Sequence, residues 1–149
     1  MIIKEVKTPD EKEQLDELLW RVLWKPIDLP RDLVGKFCLS GKKIELIIVD
    51  KGTVIGGLIC YRIGKDDFEI RHLAVDEDYQ RKLVGTNLAS KLSKLIKQDK
   101  PVRIQAYVRN TSQAFFEKIG FEPINEEWIE HPDFKKHGII FKLFEQWIK

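Results

Sequence analysis

Gln80-Arg81-Lys82-Leu83-Val84-Gly85-Thr86 is a basic turn set between two unlike patterns, and the contrast between them decides the fold. Upstream, Phe68 to Val75 reads as a strand and Asp76 to Gln80 as a polar loop. Downstream, Val84, Leu88, Leu92, Leu95 and Ile96 recur at helical spacing, so Leu83 to Lys97 reads as a helix. Lys91, Lys94 and Lys97 then fall on its solvated side. The first turn of a helix exposes N–H groups without intrahelical partners and carries the positive end of the macrodipole. Such a terminus suits a pyrophosphate. Arg81 and Lys82 add positive charge there, and Gly85 lets the backbone come close to a ligand.

Working toward the C-terminus, Val102, Ile104, Ala106 and Val108 alternate with Arg103, Gln105, Tyr107 and Arg109, a strand period. Asn110-Thr111-Ser112 offers caps for a short helix carrying Ala114, Phe115, Phe116 and Ile119, which stops at Gly120. Phe121 to Ile129 and Gly138 to Phe144 read as closing strands around the turn His131-Pro132-Asp133. Toward the N-terminus, Thr53 to Arg62 and Ile44 to Val49 form a hairpin about Asp50-Lys51-Gly52. Ile2 to Val6 is a further strand. Thr8-Pro9-Asp10-Glu11 is a helix start, with a cap, a proline in the first turn and a glutamate placed to close a capping box. Leu15, Leu18, Leu19, Val22 and Leu23 form its stripe. Pro26 and Pro30 end it and permit a second short helix from Asp32 to Phe37. The order β-α-α-β-β-β-α-β-α-β-β predicts a single α/β domain over residues 1–149, a mixed sheet with helices on its faces.

Composition agrees. The chain has 149 residues, 43% hydrophobic and 34% charged, as expected of a globular domain with a real core. A net charge of +2 gives weak long-range attraction to nucleic acid or anionic membrane. Met1 to Leu23 has no unbroken apolar stretch of the kind a signal peptide or membrane span needs, which points to the cytoplasm. Cys38 and Cys60 are expected as reduced core thiols. His131 and His137 have no acidic or thiol partner at ligand spacing, so no metal is expected.

The basic turn, the strand end His72-Leu73-Ala74-Val75 and the late segment Ala114-Phe115-Phe116-Glu117-Lys118-Ile119-Gly120-Phe121 together resemble the GNAT superfamily of acetyl-CoA-dependent N-acetyltransferases. The family signature is Gln/Arg-x-x-Gly-x-Gly/Ala. Gln80 and Gly85 match it, while Leu83 stands where the first glycine is usual. Leucine is tolerated there if the turn needs no positive φ at that site. The resemblance implies that Gln80, Arg81, Lys82, Leu83, Val84, Gly85 and Thr86 hold the pyrophosphate of acetyl-CoA. It also implies that the fourth and fifth strands splay, with the pantetheine arm paired to the backbone of Leu73, Ala74 and Val75. The Val75 N–H would then face the thioester carbonyl and stabilise an oxyanion. Asn110 resembles the family's cofactor-side asparagine, with helix capping as its simpler role. Phe116 takes the place of the family's tyrosine acid. It has no proton to give, but can pack against the arm.

The implied reaction needs a neutral amine, so a base must take its proton directly or through water. Glu69 matches the place of the general-base glutamate in the histone-acetylating branch, with Arg71 as its partner on the strand. His72 is the second candidate. Tyr107, Ser112 or a water would stand in as acid. The amine acceptor, whose identity the sequence leaves open, is expected between Trp20, Arg21, Trp24 and Lys25 on one side and Trp128, Glu130 and His131 on the other, with Glu127 or Glu130 attracting an ammonium. Monomer and homodimer are both compatible with the sequence. Leu83 and Phe116 motivate a second reading, an acyl-CoA-binding sensor without turnover.

Overall fold

The computed structural model describes residues 1–32 and 39–149. The expected second helix falls mainly on residues 33–38, outside the described residues, as does Cys38. Strand β1 (Ile2–Glu5) leads to α1 (Pro9–Leu19). Its capping box is complete: Thr8 Oγ1 accepts from the Glu11 N–H at 3.1 Å, and Glu11 Oε1 accepts from the Thr8 N–H at 3.1 Å. The helix widens into a π-turn, Trp20–Trp24, then tightens into a 3-10 turn, Lys25–Ile27, closed by Asp28 at φ 59°.

Strands β2 (Lys43–Asp50) and β3 (Thr53–Gly64) meet at a hairpin whose central residues, Lys51 and Gly52, have φ 51° and 79°. Both angles are positive, as the twist of a tight hairpin requires. Then follow β4 (Asp67–Val75), α2 (Val84–Ile96), β5 (Val102–Arg109), α3 (Gln113–Lys118), β6 (Glu122–Pro123), α4 (Pro132–Lys135) and β7 (Phe141–Ile148). They make a seven-stranded sheet, β1-β2-β3-β4-β5-β7-β6. β4 and β5 run parallel, and every other pair is antiparallel. A parallel pair needs a crossover, and α2 provides it.

Helices cover both faces. Leu88, Leu92 and Ile96 of α2 and Phe116 of α3 pack on Leu46, Leu58 and Ile104. On the other face Leu15, Leu18 and Trp24 pack with Ile47, Ile59 and Phe134. Two consecutive glycines of β3 let both layers close. A Cβ on Gly56 would lie 2.7 Å from Val84 Cγ1, and one on Gly57 only 2.2 Å from Leu15 Cδ1. Successive residues of a strand point to opposite faces, so this pair serves α2 and α1 in turn.

The mixed α/β architecture is as expected, with four local corrections. Leu95 is 42% exposed and leaves the α2 stripe. The strand expected over Phe121 to Ile129 shrinks to Glu122–Pro123 and one bridge from Ile129 to Phe141. Pro123 has no N–H for the ladder, and Asn125 Oδ1 captures the Glu127 N–H at 2.9 Å to form a local turn. The turn at His131 is instead the start of α4, where His131 Nδ1 accepts from the Asp133 N–H at 3.2 Å. Gly138, at φ 77°, follows that helix, so the last strand begins at Phe141 and runs on to Ile148. The observed order is β-α-β-β-β-α-β-α-β-α-β. Cys60 is a free, buried cysteine whose thiol is pushed up to about 12, mainly by burial.

Candidate active site

The site begins with an irregularity in β4. Ile59 faces His72 across the β3–β4 ladder, but Cys60 faces Ile70, so Arg71 is an extra residue, a β-bulge. A bulge bends its strand and re-aims the side chains around it. On the other edge, β4 pairs with β5 only from Asp67↔Arg103 to Ile70↔Ala106. Beyond that point the two strands part. The opening is a cleft of about 280 Å³ that passes through the sheet. Leu73, Ser112 and Phe116 line it toward α3, and Trp24, His72, Arg109, His131 and Phe134 line it toward α1 and α4.

Backbone direction in the parted strand follows from alternation. The Asp76 N–H donates to Ile55 O on β3 at 2.8 Å. The peptide groups of Val75 and Leu73 therefore point the other way, into the opening, while Ala74 faces Gly57. The expectation that Leu73, Ala74 and Val75 all offer backbone groups narrows to Leu73 and Val75. Gln80 Nε2 donates to Val75 O at 3.2 Å and ties the basic turn to the strand end.

That turn takes two residues into the left-handed region, Arg81 at φ 65° and Leu83 at φ 63°. Leu83 is the N-cap of α2 and makes no side-chain cap hydrogen bond. The first helical hydrogen bond runs from the Asn87 N–H to Leu83 O at 2.9 Å, so the N–H groups of Val84, Gly85 and Thr86 lie ahead of the helical ladder. An apolar cap leaves these donors and the positive dipole end for something outside the chain. Lys82 Nζ sits 5.5 Å from the Tyr79 ring beside them.

Two expectations change here. The turn does use positive φ at Leu83, so leucine is strained where glycine is not. The left-handed conformation costs an ordinary residue about 1–2 kcal/mol, partly offset by the ~0.5–1 kcal/mol that glycine's extra chain entropy costs. Since Leu83 is 56% exposed and little packing is lost, Leu83→Gly is expected to raise Tm by about 2 °C in a thermal melt. An unchanged or lower Tm would count against strain at this cap. Gly85, in turn, is buried, and a Cβ there would meet Phe115 Cζ at 2.9 Å. Its lack of a side chain serves the packing of α2 on α3, so a large substitution there would test the fold and not ligand approach.

Glu69 is the one buried carboxylate among the described residues, 4% exposed. Its Oε2 accepts from Arg71 Nη1 at 2.8 Å and its Oε1 from Gln105 Nε2 at 2.6 Å. Gln105 Oε1 accepts in turn from Arg103 Nη1 at 2.7 Å, and Arg103 Nε donates to Glu145 at 2.6 Å. Glu69 thus ends a polar chain across the sheet and meets the cleft wall through Arg71. His72 is on the wall itself, 8% exposed, its ring edge-on to Trp24 at 5.0 Å. Burial, with help from the charges of Arg71, Lys12 and Arg109, pushes its pKa down to about 3, so it is neutral at physiological pH. Tyr107 also lines the cleft and is 43% exposed. Phe116 lies edge-on to Phe115 at 5.4 Å and to Phe121 at 5.3 Å, which fixes its ring in the wall.

Other expected residues have different occupations. Asn110 neither caps α3 nor lines the cleft. Its Nδ2 donates to Gly138 O at 3.1 Å and its Oδ1 accepts from the Ile140 N–H at 3.3 Å, tying the end of β5 to the approach of β7. Of the expected acceptor residues, Trp24, Glu130 and His131 line the cleft. Trp20 Nε1 donates to Leu29 O at 3.0 Å with Lys25 over its ring, Arg21 pairs with Asp76 at 3.0 Å, and Trp128 lies against Lys142. The residue that sequence reasoning missed is Arg109. Alternation put it on the polar face of a strand, and no local signal says that α1 folds over that face.

Residues 29–141 match the acetyltransferase (GNAT) domain family. The fold is similar to solved structures of low sequence identity. An aminoglycoside 6'-N-acetyltransferase complexed with coenzyme A superposes with a TM-score of 0.78 at 18% identity, covering 100% of this chain and 98% of the other. ElaA of Escherichia coli gives 0.76 at 18% identity, covering 98% and 99%. Tetrahymena GCN5 gives 0.75 at 20% identity, covering 100% and 97%.

Proposed function

Because this chain belongs to the acetyltransferase (GNAT) family, we propose that it transfers the acetyl group of acetyl-CoA to a primary amine by direct attack of the amine on the thioester. The observation that carries this reading is the pairing of two features, an uncapped α2 N-terminus and an opening between β4 and β5 at the adjoining strand end. The residues present suit the ligand. The N–H groups of Val84, Gly85 and Thr86, with Arg81 and Lys82, would hold the diphosphate. Leu73 would pair with the amides of the arm, the Val75 N–H would face the thioester at the arm's end, and Phe116 would pack against it. When bound, the thioester supplies an activated acetyl group at the cleft.

The chain's own residues must then deliver a neutral amine. We assign proton removal to Glu69, acting through a water, because it is the buried negative charge at the cleft's edge. Neutral His72 places no positive charge against an incoming ammonium and can orient the amine by hydrogen bonding. The Val75 N–H is the oxyanion donor. Tyr107, on the wall, takes the acid role that Phe116 cannot fill. Among the described residues no helix is long and apolar enough to cross a membrane. We place the reaction in the cytoplasm, carried out by a monomer or homodimer with no nucleic-acid partner.

Calorimetry with acetyl-CoA and with CoA tests the core of this reading. Both should give saturable heat. At about a hundredfold excess over Kd the ligand should stabilise the fold by ~2.7 kcal/mol, a rise of about 5–10 °C in Tm for a chain of this size. No heat and no shift would end the proposal. Tight binding with no CoA release on any amine would favour an acyl-CoA sensor, the reading that Leu83 and Phe116 support.

A further inference from the structure

Arg103 and Arg109 sit on the same face of β5, and the sheet treats them differently. Arg103 is held by two carboxylates, Glu145 at 2.6 Å and Asp67 at 3.1 Å. Arg109 stands where β5 has parted from β4. Its Nη2 donates to Leu23 O at 2.9 Å, and its guanidinium lies 5.5 Å over the Phe134 ring. Among the described residues no carboxylate pairs with it. The carboxylates near the cleft are committed, Glu130 to Lys135 at 2.7 Å and Glu69 to Arg71 and Gln105. Burial alone moves the Arg109 pKa, down to about 10, with no acidic neighbour opposing it. A desolvated cation without a counter-charge is costly to keep, and most of its five N–H donors remain for a ligand.

We propose that Arg109 binds a carboxylate carried by the acceptor, so that the substrate class is a compact amine with a carboxylate in the same molecule. The proposal rests on the acetyl-transfer reading above. The planar fork of a guanidinium matches a carboxylate bidentately. Arg109 reaches toward α1 and α4, on the opposite side of the sheet from the α2 N-terminus, which assigns the anion to the acceptor and not to the acyl donor. A lone ammonium or a polyamine would meet the uncompensated charge of Arg109, while the Arg71 charge is already matched by Glu69, whereas an amino acid brings its own negative charge for Arg109. The Arg109 charge also favours the neutral form of the amine that must attack.

The test is a matched panel of α- and ω-amino acids, their methyl esters and their decarboxylated amines. CoA release is followed with acetyl-CoA, and binding to the CoA-loaded protein is followed by calorimetry. In the parent protein at least one acid should exceed its ester and its decarboxylated amine by about 10- to 100-fold in kcat/KM, carried mainly by KM. Arg109→Gln should bring that ratio close to one, and Arg109→Lys should restore part of it. Esters and plain amines used or bound as well as acids in the parent protein would overturn the proposal, whatever the variants do. A preference for succinyl-CoA over acetyl-CoA without discrimination between acids and esters would put the anion on the acyl donor, and would overturn it too. Failure of acetyl-CoA to bind at all would instead remove the underlying reading, and this assignment with it.

Discussion

Glu69→Gln is expected to lower kcat by about 10²–10⁴-fold while acetyl-CoA binds as tightly as to the parent protein. The side chain is isosteric, so the wall of the cleft keeps its shape. What changes is charge and acceptor capacity. The carboxylate accepts from Arg71 at 2.8 Å and from Gln105 at 2.6 Å, whereas a carboxamide has a single oxygen and can satisfy only one of them. Some loss of stability is therefore expected, and a melting curve separates it from the kinetic effect. Binding should survive because Glu69 lies away from the α2 N-terminus and from the peptide groups of Leu73 and Val75. A variant with parental kcat and a lowered Tm would make Glu69 an anchor for Arg71 and leave the base to be found elsewhere.

The second large effect concerns acid stability. His72 has a folded pKa of about 3 against an ordinary 6.5. Its folded pKa is depressed, so the unfolded chain binds a proton below 6.5 that the native protein refuses until about 3. Stability is full above the upper value and falls by about 1.4 kcal/mol per pH unit across that window, or ~2 kcal/mol by pH 5. His72→Gln keeps a polar side chain and removes the titration. In urea unfolding at pH 7.5 and pH 5, the parent protein should lose about 2 kcal/mol more than the variant. Equal losses in the two proteins would mean that the imidazole is not held neutral beside Trp24. The result also bears on mechanism, because a charged His72 would stand against any ammonium entering the cleft.

How much of this was legible beforehand depends on whether the signal is local. The capping box at Thr8 and Glu11, the hairpin about Asp50-Lys51-Gly52 and the alternation of β5 are written in short spacings and form as read, and so does the α2 stripe except for Leu95. The apolar content after Phe121 reads as a longer strand, but Pro123 and Asn125 break that run. Asn110 looked like a cap and is instead a clamp on Gly138 and Ile140, a contact across about thirty residues. Gly85 looked like a concession to a ligand and is a concession to Phe115.

Sequence by itself determined the order of most elements, the basic turn ahead of α2 and the family, since each depends on residue types at fixed short distances. Tertiary structure decided the rest. The bulge at Arg71 and the parting of β4 from β5 are properties of register between strands, which no single segment encodes. The neutrality of His72 and the isolation of Arg109 come from α1 and α4 folding over them, because burial and missing counter-charges are set by what a side chain meets in space.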